Sequence, residues 1–403
     1  MTRKDTTRAF AWAGRFAVTA LAALTFVAGG APAAAAAPSG KPIKIGLSLT
    51  LTGPYSPPAV FELQGYELAA KEINASGGLL GRPVELVKYD DQGNPSTAVQ
   101  LYQKLLTDDH VNLLLSPFET DLTSAVAPIV NRAKVVMMCL AANPGAFRGQ
   151  YPYLIQAMTL TSRYMVPAID LAAAKGYKTM ALLVQNTQFP QDLAKGIRKE
   201  AARKGIKIVF DQDYAPNTTD FSALVLKAGA THPDVIFGAT YLADAEGIMR
   251  AAKAQNVNAK MYVFSIGPVE PQFYTGLGPV AEGVFGTTLY FHTLKTNGNT
   301  EFVKGFQGMF HRLPDYHAAV AYASLKILAN AVKKVGSLDE AKIRDAILNT
   351  SVGTVAGHFQ VSKTGMQIGY SSYALQWQHG QQQLVWPKAF QTTAPMLPHP
   401  AWK

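Results

Sequence analysis

The amino-acid sequence predicts an α/β protein: two doubly wound lobes with parallel sheets, joined by a hinge that the chain crosses several times. Three observations carry this. The chain has 403 residues, 48% of them apolar and 16% charged, a globular composition spread over too long a chain for one ordinary core. Short apolar strands alternate with amphipathic helices, the pattern of parallel βαβ units. The pattern then restarts and keeps its register: Val87 to Leu113 and Val209 to Val235 both span 26 positions between corresponding strands.

Residues 1–37 stand apart from this pattern. Arg3, Lys4, Arg8 and Arg15 face a single acid, Asp5, and are followed by an apolar run, Phe16–Ala28, and an alanine-rich tail, Ala31–Ala37. These are the three parts of a secretory signal, and the run falls short of the ~20 apolar residues of a membrane helix. Export is expected, with cleavage near Ala36 or Ala37 and no nearby cysteine for a lipid anchor.

The first lobe begins with the alternating strand Ile43–Leu49. Gly53-Pro54 and Pro57-Pro58 predict a loop. A helix over Phe61–Asn74 places Leu63, Tyr66, Ala70 and Ile73 on one face and stops at Gly77-Gly78. There follow strand Val84–Tyr89, helix Ser96–Leu106, strand Asn112–Leu115, helix Thr120–Ala133 and strand Val135–Leu140. The second lobe repeats the order: strand Thr179–Gln185, helix Gln191–Lys204, strand Ile206–Asp213, helix Asp220–Ala228, strand Val235–Ala239, helix Ala243–Ala254 and strand Met261–Ser265. Beyond it, Gly283–Phe291 is extended. Helices are predicted over Phe302–Phe310, Ala318–Val335 and Leu338–Leu348, and strands over His358–Val361, Tyr373–Trp377 and Gln383–Trp386. Such a remainder suits a chain that re-enters both lobes. The expected division is 41–158 with 290–355 in one lobe, 159–289 with 356–390 in the other, and 391–403 as a tail.

Several classes of function are disfavoured. The formal charge of +10 falls to about +7 without residues 1–37, and the lysines are scattered rather than gathered with aromatics, so no nucleic-acid partner is expected. Cys139 is the only cysteine, which leaves no intrachain disulfide and no four-cysteine zinc site. No GxxxxGK[ST], HExxH or GxSxG occurs, and Gly276-Leu277-Gly278 lacks the third glycine of a dinucleotide fingerprint. His311 and His317, six apart, do not share a helical face. Asp90-Asp91 and Asp108-Asp109 lie at element ends, where aspartate braces turns and caps. No catalytic set, metal or cofactor is predicted, and the remaining reading is binding without chemistry.

In open α/β sheets ligands lie beyond the carboxyl ends of the strands, against helix N-termini. The loops there nominate Tyr55 in Thr50–Pro58, then Phe118, Thr120 and Thr123 in Ser116–Thr123, with Thr120 placed to cap its helix. Ala141 and Asn143 follow the strand Val135–Leu140, and Phe189, Tyr241 and Ile266–Phe273 come from the other lobe. Free N–H groups at the helix start would hold a carboxylate. Taken singly, Thr120 could be only a cap, and Phe189 and Tyr241 only core aromatics.

At these residues the sequence resembles the Leu/Ile/Val-binding protein family, the substrate-binding components of branched-chain amino acid ABC transporters. The resemblance rests on Ile43–Ser56, on Gly77–Val87 and on Tyr89-Asp90-Asp91 followed by Asn94-Pro95, and it extends to Thr354–Gly365. It implies type I periplasmic binding lobes with three hinge crossings. It further implies a periplasmic monomer that hands a small-molecule ligand to an inner-membrane permease, with no enzyme activity. By the same resemblance the ligand carboxylate meets Thr120, with Thr123 nearby, and Ala141 and Asn143; aromatic contacts come from Phe189 and Tyr241. Two departures matter. The family's first-lobe disulfide is missing. The family's acid for the ligand ammonium falls near Pro268, with Glu270 the nearest acid. A desolvated ammonium needs a partner, so either Glu270 or Asp244 reaches it or the ligand has no amine. An aromatic cleft of Tyr55, Phe118, Phe147, Phe189, Tyr241 and Phe273 would suit an aromatic or other amine-free carboxylate. A ligand sensor coupled to a signalling partner is the further alternative.

Overall fold

The computed structural model describes residues 37–53, 55–141 and 145–402. Apart from Ala37 the predicted signal segment lies outside them, as does Asn143. Among the described residues no helix is long and apolar enough to cross a membrane.

The first lobe is built from β1 (Ile43–Leu49), α1 (Ser56–Ala75), β2 (Val84–Asp90), α2 (Pro95–Thr107), β3 (Leu113–Leu115), α3 (Thr120–Ala133), β4 (Met137–Cys139) and β5 (Leu154–Gln156). Its five strands are parallel in the order β2-β1-β3-β4-β5. All three residues of β3 and of β4 are buried, because helices cover both faces of the sheet. The chain then forms α4 (Thr161–Tyr164) and α5 (Val166–Ala174), and enters the second sheet.

There the elements are β6 (Thr179–Gln185), α6 (Gln188–Arg203), β7 (Lys207–Tyr214), α7 (Ser222–Gly229), β8 (Val235–Ala239), α8 (Leu242–Ala254), β9 (Met261–Phe264), α9 (Pro271–Leu277) and β10 (Phe285–Thr288). Their order, β7-β6-β8-β9-β10, repeats that of the first sheet strand for strand. The matched 26-residue spacings join equivalent strands, β2 to β3 and β7 to β8.

Helices α10 (Asn299–Phe310), α11 (Tyr316–Val335) and α12 (Glu340–Leu348) return to the first sheet. There α11 lies against α1, and the Glu340 carboxylate accepts from Val136 N at 2.7 Å. The approach of α1 to α11 is close enough to require glycine: a Cβ on Gly65 would stand 2.2 Å from the Ala318 carbonyl oxygen. A hairpin, β11 (Ser351–Thr354) with β12 (Gly357–Gln360), leads back to β13 (Tyr373–Gln378) and β14 (Gln381–Trp386). Strand β13 runs antiparallel to β10, and β14 antiparallel to β13, so the second sheet has seven strands. The last residues lie along the second lobe, where Trp402 Nε1 donates to Val257 O at 2.8 Å.

Three loop expectations are corrected. Pro57-Pro58 belongs to the first turn of α1, and Phe189-Pro190 to the first turn of α6. Proline is tolerated there because a first-turn N–H has no intrahelical partner to lose. Helix α9 starts at Pro271, inside the expected loop Ile266–Phe273, whereas strand β5, helices α4 and α5, and strand β11 carry no sequence-level prediction. Both β5 and β11 are too short to display a period.

Candidate ligand-binding site

The carboxyl-end loops of the two parallel sheets meet at one cleft. From the first lobe, the turn between β3 and α3 supplies Phe118, Glu119 and Thr120, and Leu140 follows β4. From the second lobe come Phe189 in the first turn of α6, Tyr241 at the start of α8 and Ile266 after β9. The connecting segments add Met158, Tyr164, Tyr316 and His317. The cleft is narrow and open to solvent on one side, with about 370 Å³ of atom-free space including that open solvent.

The β3–α3 turn is strained at the cleft. Glu119 takes the N-cap position with φ 77° and ψ 150°, and its side chain makes no capping bond. Non-glycine residues avoid this region at a cost of about 1–3 kcal/mol. The cap expected of Thr120 is therefore corrected: Thr120 is the first helical residue, and it lines the cleft. Thr123 turns back on its own helix, its hydroxyl donating to Glu119 O at 2.9 Å and Pro117 O at 3.3 Å. Ser116 braces the neighbouring strand, accepting from Leu140 N at 3.0 Å.

Helix α11 starts at the same place. Asp315 caps it by accepting from Ala318 N at 2.9 Å and also binds His317 Nδ1 at 2.8 Å. A carboxylate on Nδ1 fixes the Nδ1–H tautomer and leaves Nε2 as the nitrogen for another partner. The His317 ring lies 3.8 Å from Tyr316 and 5.7 Å from Phe118, centroid to centroid.

The lobes touch across the cleft. Tyr55 stands on the lip of the first lobe with its ring 4.7 Å from that of Tyr241, which also lies 5.9 Å from Phe189. Ser124 donates across the gap to Gln188 Oε1 at 3.3 Å. Burial pushes the Tyr55 phenol up to about 12.

Phe118, Thr120, Phe189 and Tyr241 thus converge in one wall, with Tyr55 at its rim. Ala141 is buried behind it, its carbonyl accepting from Gln156 Nε2 at 3.0 Å. Asn143 lies outside the described residues. Phe147 and Phe273 are fully buried in separate clusters, one per lobe, and do not join the expected aromatic cleft. Neither acid nominated for an ammonium lines the space. Glu270 is 1% exposed with Oε2 unpartnered, and burial raises its pKa well above the carboxylate range. Asp244 is engaged within the second lobe by Gln185 Nε2 at 2.6 Å and the Tyr214 hydroxyl at 2.9 Å, and burial raises it to about 6.

The acid that does line the cleft is Glu119, which sequence reasoning passed over. Its Oε1 is buried with no hydrogen-bond partner among the described residues. Burial, reinforced by Asp121 and Asp91, pushes its pKa up to about 9. The only sequence signal was its place directly before the α3 start. Tyr164, Tyr316 and His317 were also missed, because no local pattern tells that the starts of α4 and α11 face this space.

Comparison with known proteins agrees with this plan. The model of the family described as "Periplasmic binding protein" matches residues 42–382. The Leu/Ile/Val-binding protein homolog 7 of Brucella suis biovar 1 is 24% identical over 386 residues, covering 91% of this chain and 96% of that relative. The leucine-, isoleucine-, valine-, threonine- and alanine-binding protein of Pseudomonas aeruginosa is 23% identical over 337 residues, covering 83% and 90%. Among solved structures, a leucine binding protein, LivK, from Thermotoga maritima superposes with TM-score 0.80 at 21% identity, covering 85% of this chain and 97% of that one. A solute binding protein of R. palustris in complex with benzoate gives 0.77 at 20% identity, covering 88% and 98%. Matched over most of its length and built on the same two-lobe plan, the chain belongs to the periplasmic binding protein family.

Proposed function

We propose that the protein is the exported substrate-binding component of an ABC transporter. It closes two lobes around a small ligand with an apolar body and a carboxylate, and hands it unaltered to an inner-membrane permease. The observation that carries this reading is the cleft itself. It opens between the carboxyl edges of two parallel sheets, is walled by aromatics from both lobes, and ends on the first turn of α3. The N–H groups of that turn and the Thr120 hydroxyl are suitable donors for a carboxylate. By their names, the Pseudomonas aeruginosa relative binds leucine, isoleucine, valine, threonine and alanine, and the Thermotoga maritima neighbour binds leucine, which supports an amino acid as guest.

A second reading, an aromatic carboxylate without an amine, is favoured by the rings of Phe118, Tyr164, Phe189, Tyr241 and Tyr316 around the space and by the benzoate-bound neighbour. Isothermal calorimetry of the purified mature protein against apolar amino acids and aromatic acids tests both. Saturable heat with one of the two classes, lost in Tyr241→Ala, is the expected result. Heat from neither class would sink the proposal.

A further inference from the structure

We infer that Glu119 is the ammonium-binding residue of this cleft, so that the ligand carries a cationic nitrogen next to its carboxylate. The inference rests on the ligand-binding reading above and decides between its two ligand classes.

Glu119 lines the cavity, and its Oε1 is shielded from water with no partner among the described residues. Its backbone is held at φ 77°. A buried carboxylate oxygen without a partner on a strained turn is accounted for when the partner arrives from outside the chain.

The charges around it indicate which partner. Asp121 faces it from its own helix and Asp91 from the end of β2. The phenol of Tyr55 faces it from the lip of its own lobe, and that of Tyr241 from across the gap. The His317 ring also lines the cavity, and Asp315 already holds its Nδ1. Among the described residues no lysine or arginine lines the cavity. A bare anion would enter among acids with no full positive charge to meet it, whereas an ammonium supplies the charge the site lacks.

The geometry accommodates both groups of an amino acid. Its ammonium and carboxylate are borne on one carbon. Here one helix start sets the Glu119 acceptor immediately before the amide donors and hydroxyl of Thr120. The ammonium acceptor is thus on the first lobe, and neither Glu270 nor Asp244 takes that role.

A proton is linked to binding. With its pKa near 9, Glu119 is protonated at neutral pH in the empty cleft, and it must ionise to pair with an ammonium. Binding therefore releases a proton, and affinity rises with pH toward about 9. An amine-free carboxylate would instead accept a hydrogen bond from the protonated acid, releasing no proton and losing affinity above that pH.

The test is calorimetry at about pH 6.5, 7.5 and 8.5 in two buffers of different ionisation enthalpy. The probes are the apolar and aromatic amino acids, each paired with its deaminated acid, such as phenylalanine with 3-phenylpropanoate. The expected result is binding of an amino acid with release of nearly one proton at neutral pH, tightening by up to about tenfold per pH unit. Its deaminated partner should bind at least ~30-fold more weakly. Glu119→Gln should weaken the amino acid by a similar factor and abolish the proton release, with circular dichroism verifying the fold. If that variant does not fold, the proton count of the unaltered protein decides alone. Deaminated acids binding as tightly as their amino acids, or an unchanged amino-acid affinity in Glu119→Gln, would overturn the assignment while leaving the ligand-binding reading standing. Silence from every probe would overturn both.

Discussion

Replacing Tyr55 by alanine probes closure of the lobes directly. The Tyr55 ring lies 4.7 Å from Tyr241 at an interplanar angle of 53°, and the two residues belong to different lobes. A pair of this kind contributes about 0.5–1.5 kcal/mol beyond its area. The half-buried Tyr55 ring loses about 40 Å² of further apolar contact, roughly 1 kcal/mol at ~25 cal/mol per Å². The sum is about 2 kcal/mol, near 30-fold in Kd. Because the contact exists only where the lobes meet, the loss falls on the closed state and lowers apparent affinity through the closed fraction. Calorimetry should therefore show Kd rising about 30-fold for whichever probe binds. Small-angle scattering should show less compaction at equal ligand concentration. The unliganded variant should melt close to the unaltered protein, since Tyr55 stands on a surface loop. A Kd within twofold of the original would refute the reasoning. So would an equal loss of stability with and without ligand, which would make Tyr55 a residue of the fold rather than of closure.

Two further predictions concern the scaffold. Gly65→Ala should cost on the order of 3 kcal/mol in urea denaturation, because its Cβ would stand 2.2 Å from the Ala318 carbonyl oxygen; an unchanged midpoint would refute the tight contact of α1 with α11. Asp234 accepts from Lys178 N at 2.7 Å, Thr179 N at 3.1 Å and Lys260 Nζ at 2.7 Å, and these bonds hold its carboxyl down to about 2 despite partial burial. A folded-state pKa below the unfolded value gives stability that is present above about pH 4 and lost as pH falls toward 2. Discounted for its exposure to solvent, the contribution is about 1–2 kcal/mol. Asp234→Asn should flatten the stability profile over that window, and parallel profiles of the two proteins would contradict the assignment.

The alternation of strands and helices was legible because both periods are local. Thr179–Gln185, Val235–Ala239 and Thr120–Ala133 stand as the periodicity predicts. The repeat of the two halves was legible as well, since equal spacings between equivalent strands survive as one strand order used twice. Where the reading slipped, the cause was local chemistry with two outcomes. A proline pair serves a loop or a first helical turn equally well, and Pro57-Pro58 serves the turn.

The cleft was only partly legible. Phe118, Thr120, Phe189 and Tyr241 could be nominated because strand ends and helix starts are sequence features. Glu119, Tyr164, Tyr316 and His317 could not. Their meaning depends on facing one another across separations of up to about two hundred residues, and on which side of each turn a side chain leaves. The acid nearest the expected position, Glu270, is sealed in the interior, while an acid beside the helix start opens into the cleft.

The sequence by itself determined the two-lobe α/β plan and the ends of the elements at which a ligand could sit, because hydrophobic period and turn residues act over neighbouring positions. Tertiary structure alone decided which acid lines the cleft and that His317, held by Asp315, lines it too. Burial and the approach of distant chain segments set charge and partnership, and neither is encoded in the spacing of residues along the chain.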